Sequence, residues 1–252
     1  SFNLALVISP SLALHSGLSG VFMLTLVLAC VSMLLLKLII PSPPHVAPAH
    51  PITYKKRLVH VLKDTQLRQL NLGIFYQHAI LTALFFILPI KLQAAVSAEQ
   101  LSTPWHFYLL TLVIAFLAAI PLILFAEKRG KSRLVFATAV GLTALSQILL
   151  LQIHLSWELF CFVIFIYFLA FNALEAMLPS MISKQTTPDY KGTAMGVYSS
   201  CQFLGIFAGG SLAGLLYAHY GESGIFILNA GMALLWFGTV LTKKVGMPSS
   251  AA

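Results

Sequence analysis

The chain has 252 residues, 59% of them hydrophobic and only 9% charged, with a mean hydropathy of +0.91. That balance excludes an ordinary water-soluble domain and points to a polytopic helical membrane protein. The net charge of +8 is carried in short loops between apolar runs, which is a pattern of membrane topology and argues against a nucleic-acid-binding face.

Residues 1–14 are apolar but too short for the ~20 residues a span requires, and they contain Pro10. They read as the outer end of a clipped helix, and the start inside an apolar segment without an initiator Met reads as truncation. A tight turn at 15–20 leads into the first complete span, 20–40. Five prolines from Pro41 to Pro51 then make an extended linker. The basic run Tyr54-Lys55-Lys56-Arg57 and an amphipathic stretch to Gln66 follow, with the three basic side chains placed to touch anionic headgroups. Six more spans come next, at 67–92, 105–126, 134–153, 157–182, 193–220 and 225–241. Only helices and closed barrels satisfy their backbone in lipid, and these runs are too long and continuous for barrel strands. The fold is therefore expected to be all-α, a transmembrane bundle of seven complete helices and one clipped one. The linker divides it into the end of an N-terminal bundle (1–40), a linker (41–66), a C-terminal six-helix bundle (67–242) and a tail (243–252).

Alternating the sides of these spans places fourteen of the 15 Lys and Arg residues at one end, leaving Lys91 alone at the other. The excess of loop cations predicts that the linker and the C-terminus are cytoplasmic. Trp105 and Trp157 fall at the opposite interface. Cys30, Cys161 and Cys201 all lie in apolar helices, so no disulfide framework or metal-ligand spacing arises. No nucleophile paired with a base, phosphate loop or metal cluster is visible, and neither enzymatic activity nor a cofactor is expected.

Sliding the chain by 204 positions superposes His15 on His219, Gly17 on Gly221, Ser19 on Ser223, Gly20 on Gly224, Phe22 on Phe226, Leu24 on Leu228 and Ala29 on Ala233. The turn and helix that open the chain thus recur at its end. Duplicated helical halves are a common plan of secondary transporters. The offset implies two equal bundles, with the last quarter of the first and all of the second present here.

The runs LRQLNLGIFYQHAILTALFFILP, FNALEAMLPSMISK and YKGTAMGVYSSCQFLGIFAGGSLAG resemble the major facilitator superfamily, and within it the bacterial inner-membrane transporters of the YajR type. The resemblance implies a twelve-helix carrier with alternating access, proton-driven export of a small molecule, and a multi-pass inner-membrane location. It also implies that four helices and part of a fifth precede this stretch. The Gly-Pro of the family's fifth helix stands here as Ser9-Pro10. The partners expected are membrane lipid, protons, a small-molecule solute, and the missing N-terminal bundle or another chain. The alternative is a half-bundle that does not transport and pairs with another chain or survives as a remnant.

Glu175 is the one acid inside an uninterrupted apolar run, where a carboxylate costs about 2.5 to 3.5 kcal/mol on insertion scales. Phe168, Asn172, Glu175 and Pro179 share a helix face, and Asn71, Phe75, His78 and Thr82 form a similar stripe on the span 67–92. Counted from the cytoplasmic ends at ~1.5 Å per residue, Glu175 lies about 12 Å deep and His78 about 15 Å. By resemblance both helices line the central cavity. Glu175 is expected to carry the proton or bind a cation, with His78 and Asn172 as hydrogen-bond partners. The competing reading makes Glu175 only a polar tie between helices. Tyr198 and Gln202, four apart, form a polar face that could reach substrate. The pairs Gly192 and Gly196, Gly205 and Gly209, and Gly210 and Gly214 are spaced for close helix packing. The loop FAEKRGKSRL resembles the second copy of the superfamily's signature loop, with Glu127, Lys128, Gly130 and Lys131 in the acid, base, glycine and base places and Ile123 where its leading glycine belongs. The family role of such a loop is a cytoplasmic latch with the acid facing a helix N-terminus; the alternative is a plain basic anchor.

Overall fold

The structure, a computed structural model, describes residues 2–39, 41, 53–152 and 156–242. The proline linker beyond Pro41 and the tail 243–252 lie outside the described residues. Seven helical elements follow in order: α1 Phe2–Leu38, α2 Tyr54–Lys63, α3 Thr65–Ser97, α4 Pro104–Lys128, α5 Ser132–Leu149, α6 Trp157–Gln185 and α7 Pro188–Thr242. Six of them are long and apolar enough to cross a membrane.

Their ends follow from local chemistry. Asp64 has extended dihedrals, so it both stops α2 and caps α3, its carboxylate accepting from the N–H groups of Gln66 (2.8 Å) and Leu67 (3.0 Å). Ser156 caps α6 through Leu159 N–H at 3.3 Å. Pro104 opens α4, where its missing N–H costs nothing. Gly130 closes α4 with φ 61°, letting Lys131 N–H return to the Ala126 carbonyl at 2.9 Å. Most of these helices outrun the apolar spans read from the sequence, because charged and polar residues at their ends still continue the backbone hydrogen-bond ladder.

The length of α7, 55 residues, hides a reversal. Along α3, Phe75, Ala79 and Phe86 meet Gly205, Gly209 and Gly214 in ascending order, so the first limb of α7 (188–220) runs parallel to α3. Gly73 meets Trp236, Ile80 meets Asn229, and Lys91 pairs with Glu222, so the second limb (222–242) runs antiparallel. The chain turns back at Gly221, whose φ of 61° and ψ of −150° lie in a region open essentially to glycine alone. Gly17 breaks α1 with nearly the same pair, φ 65° and ψ −172°. These are the residues superposed by the 204-residue repeat. Gly20 and Gly224 repeat the likeness, each packed against the side chain four positions earlier, Ser16 and Tyr220. Counting limbs, the helical architecture is that expected: seven full apolar helices, one shorter segment and the amphipathic α2.

α6 runs antiparallel to α3, with Phe85 against Phe168 (5.9 Å between ring centres) and His78 against Phe171 (5.9 Å). α5 closes on the second limb of α7 through Gly141 beside Phe237 and Phe136 beside Trp236. Two apolar cores result. One, around Phe107, Phe160 and Ile225, lies toward the end that carries Lys91. The other, around Ile74, Met177, Tyr198 and Trp236, lies toward the end that carries α2. The limb 18–38 of α1 stands apart, with its apolar side chains exposed, and meets the other described helices only along α4.

Small residues set the closest helix contact. A Cβ at Gly205 or Gly209 would overlap the backbone carbonyls of Phe75 and Ala79, one at Gly210 would sit tightly against the Thr82 methyl, and one at Gly214 would make ordinary contact with Phe86. Gly192 and Gly196 correct the packing expectation: nothing lies within 4 Å of a Cβ there, so in this chain they face open space. Gly209→Leu is expected to destabilise the bundle by about 1–3 kcal/mol through overpacking, while Gly196→Leu stays within about 0.5 kcal/mol. Thermal unfolding of the two variants in detergent checks the contrast.

Candidate functional site

Glu175, His78 and Gln202 come from three helices, α6, α3 and the first limb of α7. They converge because α3 and α7 approach through Gly205 and Gly209, one turn and two turns beyond Gln202, while α6 crosses α3 at Phe171. His78 is buried, with its Nε2 2.8 Å from the side-chain nitrogen of Gln202 and 3.8 Å from Glu175 Oε2. The matched depths expected of Glu175 and His78 are therefore observed as a contact across two helices.

At 3.8 Å the His78–Glu175 contact is an ion-pair distance and too long for a hydrogen bond. The direct donor to Glu175 is Gln77, whose side-chain nitrogen lies 3.1 Å from Oε2 and 3.4 Å from the Phe171 carbonyl. Gln77 was not singled out from the sequence. The sequence marks it only as an amide inside an apolar run, off the stripe through His78; the structure buries it as completely as the leucines around it. Asn172 places its amide nitrogen on the Phe168 carbonyl, one turn back on its own helix, at 2.8 Å.

The Glu175 side chain is 42% exposed, whereas Gln77 and His78 beneath it are buried. An acid at mid-helix is thus held from below by amide and imidazole and open on its other side. Such a group can take and release a proton, or meet a cation, without leaving its partners. Tyr198 corrects the expectation of a polar face shared with Gln202: it is buried in the core beside the α2 end. Tyr167, a full two turns before Glu175 on α6, is also wholly buried and was not foreseen.

The signature-loop residues gather at the α2 end. Glu127 faces Lys184 on the last turn of α6, with 3.5 Å between Oε1 and Nζ and both side chains exposed. Its contact in this structure is an ion pair and not a helix N-terminus. Gly130 makes the turn, Lys131 and Arg129 lie over the Phe125 ring at 5.8 and 5.9 Å, and Lys128 is exposed. A cavity of about 370 Å³ occupies the opposite end, lined by Lys91, Gln100, Gln152, Trp157 and Glu222.

Comparison with known proteins gives a consistent picture. The profile of the Major Facilitator Superfamily matches residues 70–249. The chain is 36% identical over 247 residues to the inner membrane transport protein YajR of Escherichia coli (strain K12), covering 97% of this chain and 54% of that protein. It is 29% identical over 212 residues to an uncharacterized transporter of Buchnera aphidicola subsp. Acyrthosiphon pisum (strain APS), covering 83% and 54%. An uncharacterized transporter of Buchnera aphidicola subsp. Schizaphis graminum (strain Sg) is 29% identical over 240 residues, covering 94% and 61%. The chain spans about half the length of the curated relatives it matches.

The exposure of Glu175 can be measured directly. With the three native cysteines replaced by serine and the protein in bilayers, Glu175→Cys is expected to react with a membrane-impermeant maleimide, and Tyr167→Cys to stay unlabelled. Absence of labelling at position 175 would mean that this face meets acyl chains.

Proposed function

The chain belongs to the major facilitator superfamily, and from that premise we propose that it forms one wall of a proton-linked small-molecule exporter. The facing wall is supplied by a bundle corresponding to the half of the relatives outside the matched stretch. Solute moves as the two bundles rock about a midplane site. The protein is placed in a bacterial inner membrane, with α2, the 128–132 turn and the C-terminus on the cytoplasmic side. Support for that sidedness comes from the loop cations and from the stacking of His60 in α2 on Tyr190 at the α6–α7 junction, 4.3 Å apart, which gathers the basic ends together.

One observation carries the coupling role: a half-open carboxylate in the middle of an apolar helix, seated on Gln77 and His78. A group meant only to tie helices would gain most from full enclosure by its partners, since access of water weakens a polar contact. Glu175 instead keeps one side free. In this role Glu175 binds the proton or a cationic solute, Gln77 positions the carboxylate, and His78 with Gln202 supplies the polar floor. Charge in mid-bilayer is tolerated where it borders a water-filled pathway.

The test uses proteoliposomes of the gene product that carries this sequence, loaded with a pH-sensitive dye and screened with candidate solutes. Solute-driven change in lumenal pH is expected, and Glu175→Gln is expected to abolish it while leaving the amount of folded protein unchanged. Gln77→Leu removes a hydrogen bond to a charged group, worth about 1.5–3 kcal/mol, and is expected to weaken coupling without abolishing it. Intact proton coupling in Glu175→Gln overturns the role. Absence of flux with every solute would favour the non-transporting half-bundle.

A further inference from the structure

The amphipathic helix α2 divides its basic residues between two faces, and the structure turns Arg57 partly inward while leaving its three lysines outward. Its inward side docks firmly: Val61 is fully buried in the core shared by α3, α6 and α7, His60 stacks on Tyr190, and Arg57 is half-buried. The outward side is set by helical spacing. Lys55, Val59 and Lys63 stand four apart, and Lys56, three before Val59 and seven before Lys63, lies beside them on the same face. Together with His60 they line a shallow hollow of about 430 Å³. Val59 and Leu62 are exposed along the same surface.

Charge on this face is unbalanced. α2 contains no acid, and the acid that follows it, Asp64, is spent on capping α3. Asp189, next in sequence to the Tyr190 on which His60 stacks, is exposed. Among the described residues, none of the ion pairs involves Lys55, Lys56 or Lys63. Three ammonium groups are thus fixed by a docked helix around one hollow, with apolar side chains at its rim.

We propose that this face of α2 is a binding surface for anionic phospholipid of the bilayer leaflet. The lysines take the phosphate-bearing headgroup, and Val59 and Leu62 enter the boundary with the acyl chains. Basic residues with interleaved apolar ones are the pattern of a helix lying in the interface plane, and each lysine near an anionic surface adds an attraction worth about a fivefold gain in association. Exposed apolar side chains argue for lipid over a soluble anion, which would have no use for them. Nothing in this proposal depends on transport or on Glu175.

The experiment places the full chain in nanodiscs of phosphatidylcholine alone or mixed with phosphatidylglycerol. It reads hydrogen exchange over Tyr54–Lys63 and counts phosphatidylglycerol retained by native mass spectrometry. Slower exchange in the mixed discs is expected, reversed by high salt and by the combined Lys55→Gln, Lys56→Gln, Lys63→Gln variant. That variant is expected to retain at least about tenfold less phosphatidylglycerol, and the matching triple arginine variant to behave as wild type, which separates lost charge from lost folding. Equal exchange in both lipids, or a glutamine variant that keeps its phosphatidylglycerol, overturns the proposal. Inorganic phosphate added to phosphatidylcholine discs is expected to protect nothing; protection there would assign the hollow to a soluble anion and overturn the lipid assignment.

Discussion

The close approach of α3 to the first limb of α7 is the constraint on which the polar cluster depends. In lipid there is no hydrophobic gain from bringing two apolar helices together, so contact must come from packing. Gly205 and Gly209 supply it by letting the α7 backbone rest against the Phe75 and Ala79 carbonyls. That contact fixes the register between the helices, and the register puts Gln202 on His78. A larger residue at either glycine would push α7 outward and carry Gln202 with it. The same α3 segment faces α6 on its other side, where Gln77 meets Glu175. One stretch of α3 therefore connects a packing decision on α7 to the seat of a carboxylate on α6.

The repeat shows how sequence likeness becomes conformation. Of the residues superposed at an offset of 204, Gly17 and Gly221 matter most, because each adopts dihedrals that a side chain would forbid and so permits two helices to join with no loop between them. The flanking Gly20 and Gly224 remove the bulk that would clash with the preceding helix as it turns back. The other matched positions repeat the apolar character of the returning helix. A tight reversal written twice in one chain fits a duplicated architecture better than independent origin of two loopless turns.

Much of the architecture was legible because lipid imposes a simple rule: apolar runs of sufficient length become helices, and charges gather at their ends. The conjunction of His78 with Glu175 was also legible, from depth along two helices. What the sequence did not reveal was rotation about the helix axis. Tyr198 and Gln202 are four apart and so nominally on one face, yet Tyr198 packs into the buried core while Gln202 reaches His78; spacing alone does not say which neighbour each side chain meets. Gln77 was hidden for a related reason, since it lies off the stripe through Asn71, Phe75 and His78 and reaches Glu175 only because α6 crosses on that side. Gly192 and Gly196 carry the same spacing as Gly205 and Gly209, but among the described residues nothing lies within 4 Å of a Cβ there, and spacing cannot report a neighbour. Glu127 likewise found a lysine near the end of α6, a contact set by tertiary placement.

The hydrogen bonds also bear on how a proton would pass through the cluster. With the Gln202 amide nitrogen 2.8 Å from His78 Nε2, that ring nitrogen accepts, and an accepting nitrogen has no proton to offer Glu175. In this arrangement the imidazole is neutral and Gln77 donates to the acid. For His78 to take a proton at Nε2, Gln202 must turn its amide to present oxygen, after which the imidazolium and the carboxylate 3.8 Å apart attract each other directly. Under the proposed function, protonation of the acid and rotation of an amide on α7 are then alternatives at one seam. Charge on Glu175 favours the turned amide and a charged His78; a proton on Glu175 favours the arrangement seen here. Because the glycine contact locks α7 to α3, such a switch acts at the junction between that pair and α6, the helix that bears the acid.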